Sequence, residues 1–227
     1  MLARDTSESA ETKVRIWDVP VRLFHWLLVG LLGFSWWSGS QHLMDWHRLS
    51  GFTILALLLF RLYWGVVGSP TARFSYFVRG PRAVVAHLRA KEPSAPGHTP
   101  IGGWSVVAML ATLTAMVLAG LFAIDVDGLE SGPLADYVSF DQGRLAAEIH
   151  HWIFNALLAL VALHVLAIAF YHLHRRKNLI GPMITGRGRA SATIAAPELA
   201  RAWALKAVLG GVGAGLIALA VARGFRF

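Results

Sequence analysis

Residues 148–176, EIHHWIFNALLALVALHVLAIAFYHLHRR, form an apolar run long enough to cross a bilayer, with His150 near one end and His164 fourteen residues later. In a helix, fourteen residues at 100° each return to within about 40° of the start while rising roughly 21 Å. Both imidazoles therefore leave one face at two depths. His151 stands about 140° from His164 and cannot share that face with it.

Composition says what surrounds such a helix. The chain of 227 residues is 56% hydrophobic and only 15% charged, with a mean hydropathy of +0.53, which is more apolar than a soluble domain of this size requires. Five apolar blocks are near spanning length: residues 23–37, 49–67, 104–124, 149–171 and 203–222. Lys206 intrudes on the fifth, where a lysine one turn inside can snorkel to the interface. The expected fold is an all-α integral membrane protein: a four-helix transmembrane bundle plus a fifth C-terminal transmembrane helix.

The net charge is +8. Threading five spans puts all but Arg48, Arg144, Arg223 and Arg226 of the 21 Lys and Arg on the side of the N-terminus. That asymmetry is the positive-inside pattern, and it puts the N-terminus of a multi-pass membrane protein in the cytoplasm and the C-terminus outside. The basicity is topological and calls for no nucleic acid. On the outer side, residues 123–148 carry Asp125, Asp127, Glu130, Asp136, Asp141 and Glu148 against Arg144. Such a loop is either simply solvated or a docking face for a basic periplasmic donor. There is no cysteine, which excludes disulfides, cysteine-ligated iron-sulfur clusters and haem attached through C-x-x-C-H.

Pro20 suits the first turn of a helix, so His25 lies about one turn inside the cytoplasmic face of helix one. Helix two runs the other way, with His47 near its outer end. Helix three has no histidine and no charge, and its Ala108, Ala111, Ala115, Ala119 and Gly120 suit close packing. By depth, His25 pairs with His164 and His47 with His150. Interhelical hydrogen bonding would explain any one of these histidines. Two level pairs on opposed helices are the ligand set for two six-coordinate haems b, stacked about 20 Å apart. Zinc or copper is the chemical rival, but no carboxylate or thioether shares the face to complete a site. Gly51, one turn below His47, would let a flat cofactor approach the backbone. Arg61, fourteen residues after His47, shares its face at the opposite depth.

The chain resembles the bacterial cytochrome b561 family, in its branch of b-type cytochrome subunits of nickel-iron hydrogenases. The resemblance rests on residues 14–26 (VRIWDVPVRLFHW), 47–69 (HRLSGFTILALLLFRLYWGVVGS), 72–81 (ARFSYFVRGP), 97–103 (GHTPIGG), 149–152 (IHHW) with His164, and 178–189 (NLIGPMITGRGR). It implies a bacterial inner-membrane protein, its C-terminus periplasmic, with two non-covalent, bis-histidine haems b: His25 and His164 for the cytoplasmic-side haem, His47 and His150 for the periplasmic-side one. The sequence departs from the family pattern twice: His151 stands where a Glu is usual before Trp152, and Thr99 where Asn is usual before Pro100.

Secondary roles follow from position. Arg22, three residues before His25, and Arg61 are candidates to pair a haem propionate, since a half-buried carboxylate needs a charged partner; positive-inside anchoring explains either equally. Tyr171, seven residues after His164 on nearly the same face, could line a quinone pocket with His172. The leading functional reading is a transmembrane electron carrier of the respiratory chain. It would pass electrons between a periplasmic hydrogenase, dehydrogenase or c-type cytochrome and membrane quinone. The alternatives are a stand-alone quinone oxidoreductase with a small soluble donor, and a transporter using the histidines as relays. The expected divisions are a disordered cytoplasmic tail (1–13), a dihaem cytochrome b transmembrane domain (14–189), and a linker with the fifth helix (190–227).

Overall fold

The computed structural model describes residues 12–89, 99–190 and 200–226. All but the last two residues of the expected tail, His98, and residues 191–199 of the linker lie outside them. The order of elements is β1 (Thr12–Arg15), α1 (Val19–Ser40), α2 (Met44–Val67), a 3₁₀ turn (Pro70–Ala72), α3 (Phe74–Phe77), α4 (Pro81–Arg89), α5 (Pro100–Phe122), a second 3₁₀ turn (Ala135–Tyr137), α6 (Phe140–Leu173), α7 (Ile180–Thr185), β2 (Arg187–Ala190) and α8 (Ala200–Ala222). The helices α1, α2, α5 and α6, and α8 from Trp203 onward, are long and apolar enough to cross a membrane. The fold is the expected all-α membrane architecture, with one small two-stranded ribbon added.

Local chemistry fixes where the helices begin. Asp18 caps α1 by accepting from the Val21 N–H at 2.7 Å, with Pro20 in the first turn. Its other oxygen accepts from Trp64 Nε1 at 2.8 Å and Ser69 Oγ at 2.5 Å, which ties the start of α1 to the end of α2. Thr99 caps α5 by accepting from the Gly102 N–H, with Pro100 behind it. α6 starts nine residues before the expected Ile149, because Ser139 and Gln142 form a reciprocal capping box. The loop between α5 and α6 is correspondingly shorter, and Asp141, Arg144 and Glu148 ride on helix.

The chain folds as two long hairpins. α1 packs along α2 and α5 along α6, while α6 meets the rest of the bundle chiefly through α5. Between them lies an apolar layer of Phe24, Ile54, Leu58, Leu110, Leu113 and Leu157. α8 covers the other side of α2. Its Trp203 stands edge-on to Trp64 at 6.0 Å, and the Lys206 ammonium folds back over the Trp203 ring at 5.3 Å. At the far end Tyr137 donates to the Gly224 carbonyl and Arg226 pairs with Asp136.

β1 and β2 pair antiparallel at the end of the bundle that carries the N-terminus, with Lys13 opposite Arg189 and Arg15 opposite Arg187. The Ile16 N–H continues the ladder to the Gly186 carbonyl at 2.8 Å, and Ile16 and Trp17 are buried. Gly186 closes α7 in the left-handed region at φ 77°, where a glycine carries no Cβ penalty.

Candidate functional site

His47 on α2 and His150 on α6 face each other across the gap between the two hairpins. Their ring centroids are 6.1 Å apart and the planes cross at 81°. Each ring reaches a backbone carbonyl of the other helix in its own hairpin. His47 Nδ1 donates to the Ser35 carbonyl on α1 at 2.9 Å, and His150 Nδ1 donates to the Met116 carbonyl on α5 at 2.8 Å. A glycine opens the way in both cases. Gly39 is four residues after Ser35 and Gly120 four after Met116, so neither carbonyl is covered by a side chain one turn on. A Cβ built on either glycine would stand 3.0 Å from the histidine's Nδ1. With Nδ1 committed as the donor, Nε2 of each ring is left as a lone-pair ligand, the arrangement that fixes tautomer and orientation in metal-bound imidazoles.

The second level lies toward the N-terminal end. His25 on α1 and His164 on α6 are both half-buried. His25 Nδ1 is buried and has no hydrogen-bond partner, and the Trp26 indole stands edge-on to its ring at 4.9 Å. A buried polar atom without a partner costs about 1–3 kcal/mol, which only a partner reaching Nδ1 itself would remove. Along α6 one stripe runs through half-buried His150, His164 and Tyr171 and buried Leu157 at seven-residue steps, while His151 is exposed. Leu157, in the apolar layer, separates the two histidine levels.

The other candidates are placed as follows. Gly51 has nothing within 4 Å of where a Cβ would sit, so the backbone of α2 is open there. Arg22 donates to the Ile184 carbonyl at 2.5 Å and leaves its Nε buried without a partner. Arg61 is only 3% exposed; its guanidinium donates to the Ala72 carbonyl at 3.2 Å and lies over the Phe74 ring at 4.9 Å. Tyr171 is half-buried beside Phe170, and His172 is exposed. Sequence reasoning missed Ser35, Gly39 and Met116. A glycine four residues after a carbonyl, facing a histidine-bearing helix, was the signal for both gaps; the carbonyls themselves have none.

These residues fit a haem better than a bare ion. An imidazole nitrogen stands about 2 Å from a bound metal and each ring centre roughly 1 Å beyond it, so two rings on one ion lie about 6 Å apart. The observed separation is 6.1 Å. No group of three His, Cys, Asp or Glu among the described residues could hold a metal ion. Two imidazoles alone suit a metal that brings its own equatorial ligands, as haem iron does.

Comparison with known proteins agrees with that chemistry. The family model described as prokaryotic cytochrome b561 matches residues 16–186. Over 212 residues the chain is 24% identical to a protein of Azotobacter chroococcum mcd 1 named "Probable Ni/Fe-hydrogenase B-type cytochrome subunit", covering 78% of this chain and 88% of that one. No solved structure matches the chain.

Proposed function

The chain belongs to the prokaryotic cytochrome b561 family and is a multi-pass membrane b-type cytochrome of electron transfer, and from that premise we propose that it holds two haems b and carries electrons across the membrane between a periplasmic redox protein and quinone. The observation that carries the proposal is the facing of His47 and His150, each with Nδ1 bound to a helix carbonyl and Nε2 free. His47 and His150 would hold one haem, His25 and His164 the other. Bound haem supplies reversible one-electron chemistry at iron, and bis-histidine ligation leaves no open iron position for substrate.

The protein's own residues do the rest. The Ser35 and Met116 carbonyls orient the outer imidazoles, and the layer of Ile54, Leu58, Leu113 and Leu157 excludes water between the levels. The end with β1, β2 and the N-terminus is assigned to the cytoplasm, on the Lys and Arg asymmetry. The periplasmic partner would be a hydrogenase, dehydrogenase or c-type cytochrome, and the name of the Azotobacter relative supports the first. Quinone would exchange electrons at the cytoplasmic level, near Tyr171 and His172. Arg22, with its unpartnered Nε three residues before His25, is the better placed cation for a propionate there.

The test is a reduced-minus-oxidised spectrum with pyridine haemochrome quantification on the purified chain and on His47→Ala and His164→Ala. Two haems b in the wild type, with each variant losing a different one, is the expected result. A well-folded wild type without haem would end the proposal. Normal quinol turnover in Tyr171→Phe would remove Tyr171 from the quinone site.

A further inference from the structure

The β1–β2 ribbon holds a charge arrangement that the electron-transfer reading does not use. Arg15 faces Arg187 across it. Because the Ile16 N–H donates to the Gly186 carbonyl, the neighbouring Arg15–Arg187 pair takes the non-hydrogen-bonded position, where opposed Cα atoms are about 4.5 Å apart and side chains closest. Like charges directly opposite destabilise a sheet. Both arginines are exposed, and neither has an acidic partner among the described residues. Two residues along, the register sets Lys13 opposite Arg189. The ribbon cannot swing away to relieve the repulsion, because Ile16 and Trp17 are buried at its base.

Arg22, the propionate candidate, lies under the turn, where a Cβ on Gly186 would stand 3.1 Å from its Nε, and it is no part of the headgroup site. Immediately before the turn, α7 and its N-cap expose Leu179, Ile180 and Ile184. α7 is held there by α1, since Arg22 donates to the Ile184 carbonyl and Trp26 Nε1 to the Met183 carbonyl at 3.2 Å. A soluble anion would neutralise the arginines and leave three apolar side chains in water. An anionic lipid meets both needs at the boundary of headgroup and acyl chain.

We propose that the β1–β2 ribbon and α7 form a headgroup site for an anionic phospholipid of the leaflet at the N-terminal end of the bundle. The phosphate lies against Arg15 and Arg187, and the acyl chains lie along Leu179, Ile180 and Ile184. Uncompensated, the ribbon is a weak point of the fold; with the lipid bound it is a clasp joining β1 to the α7–β2 turn.

The experiment compares the full chain in bilayer discs of phosphatidylcholine with discs of equal phosphatidylglycerol and phosphatidylcholine. Retained lipid is read by native mass spectrometry and unfolding by far-UV circular dichroism, neither of which depends on haem. Wild type retains phosphatidylglycerol preferentially. Each basic residue at such a surface is worth about fivefold in affinity, so Arg15→Gln with Arg187→Gln loses about 25-fold of that preference. In neutral discs the double variant melts above wild type, because the repulsion is gone; in mixed discs the order reverses. Arg223→Gln, an exposed cation at the other end of the chain, keeps the wild-type preference. Undiminished retention in the double variant, an equal loss in Arg223→Gln, or equal stabilisation of neutral discs by inorganic phosphate would each overturn the assignment.

Discussion

Gly120 lies against the Nδ1 edge of His150, so close that a single added methyl group would stand 3.0 Å from the ring. Gly120→Ala therefore pushes the imidazole and lengthens its 2.8 Å bond to the Met116 carbonyl. Losing the partner that orients a ligating histidine costs about 10–100-fold in metal affinity. On the dihaem reading the variant is substoichiometric in the outer haem and normal in the inner one, as measured by haem quantification and redox titration. Full occupancy with an unchanged outer potential would show that the gap has slack to absorb a methyl. Gly39→Ala tests the same relation at His47.

Asp18 serves three donors at once, and its removal separates the start of α1 from the end of α2. Asp18→Ala loses a cap worth about 1 kcal/mol and leaves Trp64 Nε1 unpartnered in a buried setting, a further cost of about 1–3 kcal/mol. Asp18→Asn keeps an acceptor and is expected to lose less. Thermal unfolding of the two variants in one detergent should order them wild type, Asn, Ala. Equal stability of Ala and wild type would mean that Trp64 and Ser69 find other partners.

Arg61 has two readings that a redox titration separates. A buried cation near a haem favours the form with the extra electron, so on the dihaem reading Arg61→Leu lowers the potential of the haem assigned to His25 and His164 if its charge is felt there. An unchanged potential confines Arg61 to its contacts with Ala72 and Phe74. In that case the variant shows only lost stability, because the Ala72 carbonyl loses its donor.

Gly186→Ala places a Cβ where φ is 77° and the Trp17 carbonyl is 2.8 Å away. An L-residue in that region costs about 1–2 kcal/mol before any clash. Hydrogen exchange of residues 180–190 should speed up while that of α2 and α5 stays at wild-type rates. Unchanged exchange in the turn would mean that the backbone rotates out of the strained region at little cost.

The sequence shows the five spans plainly, because each is a long apolar block, and it shows which histidines share a face, because fourteen residues nearly close four helical turns. The exposed position of His151 follows from the same arithmetic. Other features had weaker signals. The first turns of α6 are polar, so only Ser139 and Gln142, a capping box, marked the true start. β1 and β2 are four residues each and basic, and nothing in TKVR or RGRA reads as a strand without its partner. Arg61 sits in a run of interfacial character, and its burial depends on the fold of residues 70–77 over it. The histidine–carbonyl bonds involve backbone acceptors, which every residue offers and no sequence pattern announces.

α6 is a single helix of 34 residues, about 51 Å long against a hydrocarbon core of about 30 Å. His150 and His164 are marks on one rigid ruler, with no proline between them and no break in the helix. Whatever is adapted around either mark, the span between the marks stays fixed by the helical rise. Tuning is left to the surroundings of each histidine, one end at a time.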